Sequence, residues 1–464
     1  MTAASTTAPR AFAVWWKDLE RWVIPSSLLF HRTLPAGWTR VRVGTLVRQI
    51  TNRVKAKAES EYKMAGVKWY GEGIFHRETV RGDGMSASQI TPLVPGALIY
   101  NRLFAWKASF AVVTPEFADC YVSNEFPQFI PDKIRLLPEY LYLFCTRSAT
   151  IRAVNAASTG SAAVSRNRFK EEQFLGFEIP LPALAEQKAI VDRWRKAQDE
   201  IAAARERVEK RKVAIDACFF ADLGFKSPEQ LFMPKGFAVL WKDFPRWGVR
   251  FNQLRQGGAD ITQGKFPVVE LDSVLEVVQY GTSAKANSTG VGVPVLRIVN
   301  IKERALDLSE LKHIPLPKKT HEGLLLRDGD VLIIRTSGSR DLVGTCAVFH
   351  GEGDFVFASY LIRLRFNPSK VVPKYISWFL NSALGRQQVD AVSRQIMQNN
   401  INSEELRSLQ IPLPPLAVQK QIMERVAKGR AEIARECEAA EQLAQKIHAE
   451  VEALILGTKT LKET

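Results

Sequence analysis

Four short stretches of the chain gather side chains able to hydrogen-bond a polar partner. YGTSAK places Tyr280, Gly281, Thr282, Ser283 and Lys285 in a turn-like segment before a strand, and Asn300 and Lys302 follow the next strand. Arg335, Ser337, Ser339 and Arg340 sit just past another strand end, where loops present functional groups. Asn101, Arg102 and Lys107 occupy the corresponding strand end in the first half. Arg, Asn and Lys are the residue types that read nucleic-acid base edges, while cations and backbone N–H groups hold phosphates. Taken singly, each also suits a solvated surface charge or a local turn bond, and the turn at Ser337–Ser339 suits a structural role. They lie on a basic chain. Lys and Arg number 64 against 49 Asp and Glu, a formal excess of +15, with an isoelectric point of about 9.6. Such an excess attracts polyanions, of which nucleic acid is the commonest in a cytoplasm, although many soluble proteins are basic without binding DNA.

Catalysis would need a constellation, and the common ones are missing. Gly264-Lys265 lacks the upstream glycine and the hydroxyl of a phosphate loop. Gly290 and Gly292 lead into a proline, which suits a turn rather than a dinucleotide fingerprint. The six histidines show no metal-ligand spacing. Asn367-Pro368-Ser369-Lys370 lacks the aromatic residue that an adenine methyltransferase stacks on its flipped base, and reads as a turn. No nucleophile elbow is present. The five cysteines are odd in number and scattered without a CxxC pair, which points to a reducing cytoplasm and away from structural zinc. No apolar run is long enough to span a membrane, and the first residues do not read as a signal peptide. The expectation is a binder that holds no metal or cofactor and performs no chemistry itself.

The elements that must position these residues are written twice. IPLPALAEQKAIVDR, from Ile179, returns as IPLPPLAVQKQIMER, from Ile411, with ten of fifteen positions identical. FAVWWKDLERW, from Phe12, returns as FAVLWKDFPRW, from Phe237, at eight of eleven positions. GALIYNR (Gly96 to Arg102) corresponds to GDVLIIR (Gly329 to Arg335), and LPEYLYLF to VPKYISWF at Pro, Tyr and Phe. The order is shared and the offset nearly so, which makes the repeat a whole half of the protein. Short β-branched strands, helices opened by Pro138 or Pro373, and no regular βαβ alternation predict two similar α+β domains.

The prolines of each IPLP block hold the backbone extended, so a long helix can start only after Pro182 or Pro414. From Gln187 the heptad positions are Trp194, Ile201, Val208 and Ile215. From Gln419 they are Val426, Ile433, Ala440 and Ile447, in the same register. A narrow apolar stripe between charged positions suits surface helices that dock on their own globules, but equal register and length favour helices that pack on each other, antiparallel, each roughly 55 Å long at about 1.5 Å per residue. The expected layout is a first domain at 1–178, a helix region at 179–222, a second domain at 223–410 and a second helix region at 411–464, related by a pseudo-twofold. Such twin domains suit the approximate twofold of DNA.

With the duplicated block, VVQYGTSAKANSTGVGVPVLRIVNI (Val277 to Ile301) and RDGDVLIIRTSGSRDLVGTCAVF (Arg327 to Phe349) make the chain resemble the specificity subunits of type I restriction–modification systems. The resemblance covers essentially the whole chain and is weakest between Thr39 and Phe129. It implies two target-recognition domains, each reading half of a bipartite double-stranded DNA target, with two long helices setting the gap. It also implies docking of two methyltransferase subunits and of restriction–translocase subunits, with S-adenosylmethionine, ATP and Mg2+ held by those partners. Two copies of a partner need two copies of a surface. This nominates Trp15, Trp16 and Trp22, Trp241 and Trp247, and Gln187, Lys188, Gln419 and Lys420 as docking residues. The rival readings are a specificity subunit whose partner fuses methylation and cleavage, and a duplicated basic nucleic-acid-binding scaffold.

Overall fold

The computed structural model describes residues 34–85, 89–158, 168–225, 261–315, 317–395 and 399–460. The chain divides into two compact units, Met1–Arg205 with Glu438–Thr464, and Glu206–Cys437. Both are α+β, as expected.

Unit 1 is organised by an antiparallel sheet of β1 (Val47–Ile50), β2 (Leu98–Tyr100), β3 (Phe110–Val112) and β4 (Gln128–Pro131), in the order β1–β4–β2–β3. Every side chain of β2 is buried, and the alternation of a strand sends them to two different cores. Leu98 and Tyr100 join Tyr140 and Phe144 of helix α1 (Pro138–Thr146), whereas Ile99 joins a second, five-stranded sheet through Ala65 and Val122.

Unit 2 repeats the scheme. Its sheet of β5 (Leu275–Tyr280), β6 (Val331–Ile334), β7 (Cys346–Val348) and β8 (Leu361–Phe366) has the order β5–β8–β6–β7. Val331 and Ile333 face the core that contains Tyr375 and Phe379 of the helix Pro373–Asn381, and Leu332 and Ile334 face the other way. The second sheet is where the units differ. In unit 2 it has three strands, Lys312–Ile314, Val293–Leu296 and Val356–Phe357.

The proline blocks form edge strands, the place where a missing N–H is tolerated. Ile179 lies opposite Val41 and Ile411 opposite Val269, each in a two-stranded antiparallel pair. Beyond them run the long helices α2 (Leu184–Leu223) and α3 (Leu416–Ile455). Each is shared by both units, so the helix regions are not set apart from the globules: each half-helix belongs to a domain core. In unit 1, Ile190 and Ala197 of α2 pack in one cluster with Ile447, Val451 and Leu454 of α3, with Trp194 against it. Arg193 meets Glu450 at 3.0 Å. In unit 2, Phe219 and Leu223 of α2 join Ile422 and Val426 of α3. Arg207 pairs with Glu436, Arg211 with Glu432, and Asp222 with Arg425. Numbers rising along α2 meet numbers falling along α3, which is antiparallel pairing.

Along the stripe, Ile201 and Val208 are buried, and Ile215, Ile433 and Ala440 are partly so. Gly429 sits at a close approach: a Cβ there would stand 2.7 Å from Ile215 Cδ1, so the isoleucine side chain would have to shift to admit one. No described helix is long and apolar enough to cross a membrane.

Two duplicated side chains tie each long helix to its domain. The Gln187 carboxamide accepts from Leu137 N–H (2.9 Å) and donates to the Arg135 and Pro182 carbonyls (2.8 and 3.0 Å). Gln419 accepts from Val372 N–H (2.8 Å) and donates to the Lys370 and Pro414 carbonyls (3.1 and 2.8 Å). Tyr140 and Tyr375 donate to the Pro180 and Pro412 carbonyls at 2.8 and 2.7 Å, pinning the proline strands. Truncating a glutamine removes the partner of three backbone groups, one in each set buried. Gln187→Ala and Gln419→Ala should each cost about 1–3 kcal/mol in urea denaturation. Lys188→Ala and Lys420→Ala, one residue away and exposed, should stay within about 0.5 kcal/mol of the parent.

Candidate nucleic-acid interface

In unit 2 several strand ends meet on the segment 357–361. Thr282 N–H donates to Phe357 O (2.9 Å), Ser359 N–H to Thr282 O (2.8 Å), and Ala358 N–H to Leu296 O (2.9 Å). Arg335 N–H donates to Tyr360 O (2.9 Å). Tyr280–Thr282, Arg297 and Arg335, far apart in sequence, are thereby brought side by side. Gly281 is needed for this convergence, because a Cβ would collide with the Phe357 and Ala358 carbonyls. Ser283 and Lys285 are exposed beside it, and among the described residues Lys285 has no ion pair. Tyr360 is 55% exposed and extends the surface. Arg297 and Tyr360 were not singled out from sequence. Tyr360 lies in the FVFASY run as another strand-end aromatic, and only the hydrogen bonds reveal what it stands next to.

The side chains of the candidates have different duties. Tyr280 receives the Ser403 N–H on its hydroxyl (3.0 Å), and the Arg335 guanidinium lies 4.8 Å over its ring. Thr282 and Ser337 accept from Ala284 and Ser339 N–H groups (3.1 Å each), both local turn bonds. Ser339 is exposed, and Arg340 faces Asp390 at 4.0 Å. Asn300 must be withdrawn as a DNA contact. It is 2% exposed, and its carboxamide is consumed by Arg297 N–H and by the Asp307 and Glu310 carbonyls. Lys302, across the adjoining hairpin, is engaged with Asp307 at 2.6 Å. That hydrogen bond leads the effects that hold the Asp307 carboxyl well below the usual range.

Unit 1 places Asn101, Arg102 and Lys107 at the matching strand end, with other partners. Asn101 Oδ1 accepts from Leu103 N–H (2.9 Å). Arg102 is an internal tie. Its Nε donates to Glu171 Oε2 (3.1 Å), its Nη2 to Glu171 Oε1, and its Nη1 to the Asn124 carbonyl (2.7 Å). Three of the five guanidinium N–H donors are thus committed inside the unit, against the expectation of an arginine free for DNA. Lys107 Nζ sits 3.6 Å over the Trp69 ring. Trp69, Tyr70 and Phe75 form an exposed aromatic surface around a cleft of about 610 Å3 that Asn101 also lines. The signal for it was KWYGEG, an aromatic pair ahead of turn glycines, in which Tyr70 takes a left-handed φ of 57°.

Of the docking candidates, Trp15, Trp16, Trp22, Trp241 and Trp247 lie outside the described residues. Gln187 and Gln419 are corrected: both are 0% exposed, and their duplication reflects the internal tie rather than a partner surface. Lys188 and Lys420 are exposed at the start of the long helices.

Comparison with known proteins fits these two units. The model of the type I restriction modification DNA specificity domain matches twice, over residues 35–209 and 264–439, and the chain belongs to that family. The specificity subunit of the type I restriction enzyme EcoKI from Escherichia coli strain K12 is 27% identical over 285 residues, 61% of this chain and 56% of that protein. That of StySPI from Salmonella potsdam is 26% identical over 298 residues, 64% of this chain and 59% of that protein. The matched stretches thus span little more than half the length of these relatives. A solved structure from work on complex assembly and conformational transition of the type I R-M system superposes with a TM-score of 0.59. It is 16% identical and covers 91% of this chain and 99% of its own, a likeness of fold.

The Arg102–Glu171 tie has a pH signature. Burial raises the Glu171 pKa, but the hydrogen bond from Arg102, a backbone N–H and the arginine charge outweigh it, and the net shift is downward from 4.5. A depressed carboxyl stabilises the fold above its unfolded pKa and loses that stabilisation as pH falls through the folded value. Melting temperatures of the parent should therefore fall more steeply below pH 4.5 than those of Glu171→Gln, which should start lower at pH 7. Parallel curves would exclude the tie as a source of acid sensitivity.

Proposed function

We propose that this chain is the sequence-reading subunit of a type I restriction–modification complex. Each unit reads one half of a bipartite double-stranded DNA target, and the chain performs no chemistry of its own. The observation that carries the reading is the specificity domain occurring twice in one chain, each copy with its own strand-end surface. A net charge of +15 supports affinity for the phosphate backbone, and the Lys285 and Arg335 side chains supply donors of the kind that contact bases or phosphates.

Two methyltransferase subunits would bind S-adenosylmethionine and modify the target, and restriction–translocase subunits would use ATP and Mg2+. The exposed Lys188 and Lys420, at matching positions of the two long helices, are candidates for the repeated docking surface, with the tryptophan blocks. The long helices, common to both units, would set the gap between half-sites.

Sequencing the methylome of the host with and without this gene tests the reading. Its removal should erase one split motif with an unspecified spacer, and persistence of all motifs would refute it. Inserting one matched helical segment after Ala204 and another before Glu436 should lengthen the spacer and leave both half-sites unchanged. A spacer that stays constant would exclude the helices as the gauge.

A further inference from the structure

The two units hold an arginine at one and the same backbone position and use it in opposite ways. Arg102 N–H donates to Glu125 O (2.9 Å) and its carbonyl accepts from Phe169 N–H (3.0 Å). Arg335 N–H donates to Tyr360 O and its carbonyl accepts from Ile401 N–H (2.9 Å each). Both close the final strand of the GALIYNR/GDVLIIR repeat. Beyond the backbone they part. Arg102 finds Glu171, the first residue of the short helix Glu171–Leu175. The matching short helix of unit 2, Ser403–Arg407, starts with Ser403, which carries no charge. The carboxylate that neutralises the arginine in unit 1 is thus replaced in unit 2 by a hydroxyl, and Tyr280 occupies that hydroxyl.

The consequence is a guanidinium held in place and left unspent. Arg335 is positioned by two backbone hydrogen bonds and by the Tyr280 ring, itself anchored by Ser403 N–H. Its buried Nε has no acceptor, and no carboxylate pairs with it among the described residues. Three other arginines of the unit are neutralised internally, Arg365 by Asp330 at 2.7 Å, Arg425 by Asp222 at 2.6 Å, and Arg304 by Asp216 at 3.6 Å, whereas Arg297 shares with Arg335 a buried Nε that has no acceptor among the described residues. The backbone partner Tyr360 is exposed, and Lys285, just past the Thr282 that bonds the same segment, is exposed with no ion pair among the described residues. A planar five-donor group stacked on an aromatic ring loses little freedom on binding and matches bidentate acceptors, such as a guanine edge or a phosphate.

We infer that Arg335 is a DNA-contacting residue of unit 2, delivered by Tyr280, and that Arg102 in unit 1 is not one. This rests on the DNA-reading function proposed above. The full chain is co-expressed with its methyltransferase in a host lacking other methylation, and methylomes and melting temperatures are compared for the parent, R335Q, R335K, Ser403→Glu and R102Q. R335Q should reduce methylation of the split motif roughly tenfold or more with melting preserved, the order expected for a lost bidentate contact. R335K, which keeps the charge without the fork, should fall in between. Ser403→Glu restores the carboxylate of unit 1 and should silence Arg335 to the extent that R335Q does. R102Q should lower the melting temperature and leave the motif unaltered in identity.

Relaxation at one base of one half-site would identify a base edge. Uniform loss with a shallower salt dependence would identify a phosphate. Both support the assignment. R335Q that methylates like the parent overturns it, as does a loss that only follows melting while R335K behaves as the parent. A parent chain yielding no split motif removes the DNA-reading function itself, and the assignment with it.

Discussion

A buried carboxamide at the first turn of each long helix sets the terms for the rest of the molecule. Gln187 and Gln419 make three backbone hydrogen bonds each, the full set their Oε1 and Nε2 use here, at positions closed to water. An amide so placed must be satisfied or it destabilises the fold. Satisfaction requires the proline strand, the turn before the short helix and the start of the long helix to be in one arrangement. Tyr140 and Tyr375 complete the constraint from the other side by tying the short helix to the proline strand.

That constraint explains why the repeat survives where it does. The tied segments are the ones that read alike in both halves, and the four-stranded sheets against them share one strand order. The second sheets are not part of the tie, and they differ in strand number and connection. A framework that stays fixed while its outer sheet varies allows the two units to present unlike surfaces. Exposed aromatics around Trp69 occur in one, and a junction of strand ends around 357–361 in the other.

The same logic operates within a single position. Arg102 and Arg335 are equivalent in the backbone, yet one is neutralised by Glu171 and the other stacks on Tyr280. A change in the neighbour, not in the arginine, decides whether the cation serves the fold or is left for a ligand. Because an unpaired half-buried guanidinium is costly, its persistence in unit 2 points outward.

Much of the architecture was legible in the residues. Paired IPLP blocks, proline-opened helices and a seven-residue stripe announce two α+β halves and two antiparallel helices, because such signals depend on local backbone preference and on periodicity. Duplication also marked Gln187 and Gln419 as significant, but not whether they face solvent. Asn300 and Arg102 looked like Lys285 and Arg335, polar groups near strand ends, since a side chain's type does not name its partner. Those partners come from residues tens of positions away, Glu171 for Arg102 and Ser403 through Tyr280 for Arg335. Sequence alone determined which elements form and that they form twice. Only the tertiary structure decided which hydrogen-bonding groups are used up inside, because that depends on contacts between segments that no local pattern encodes.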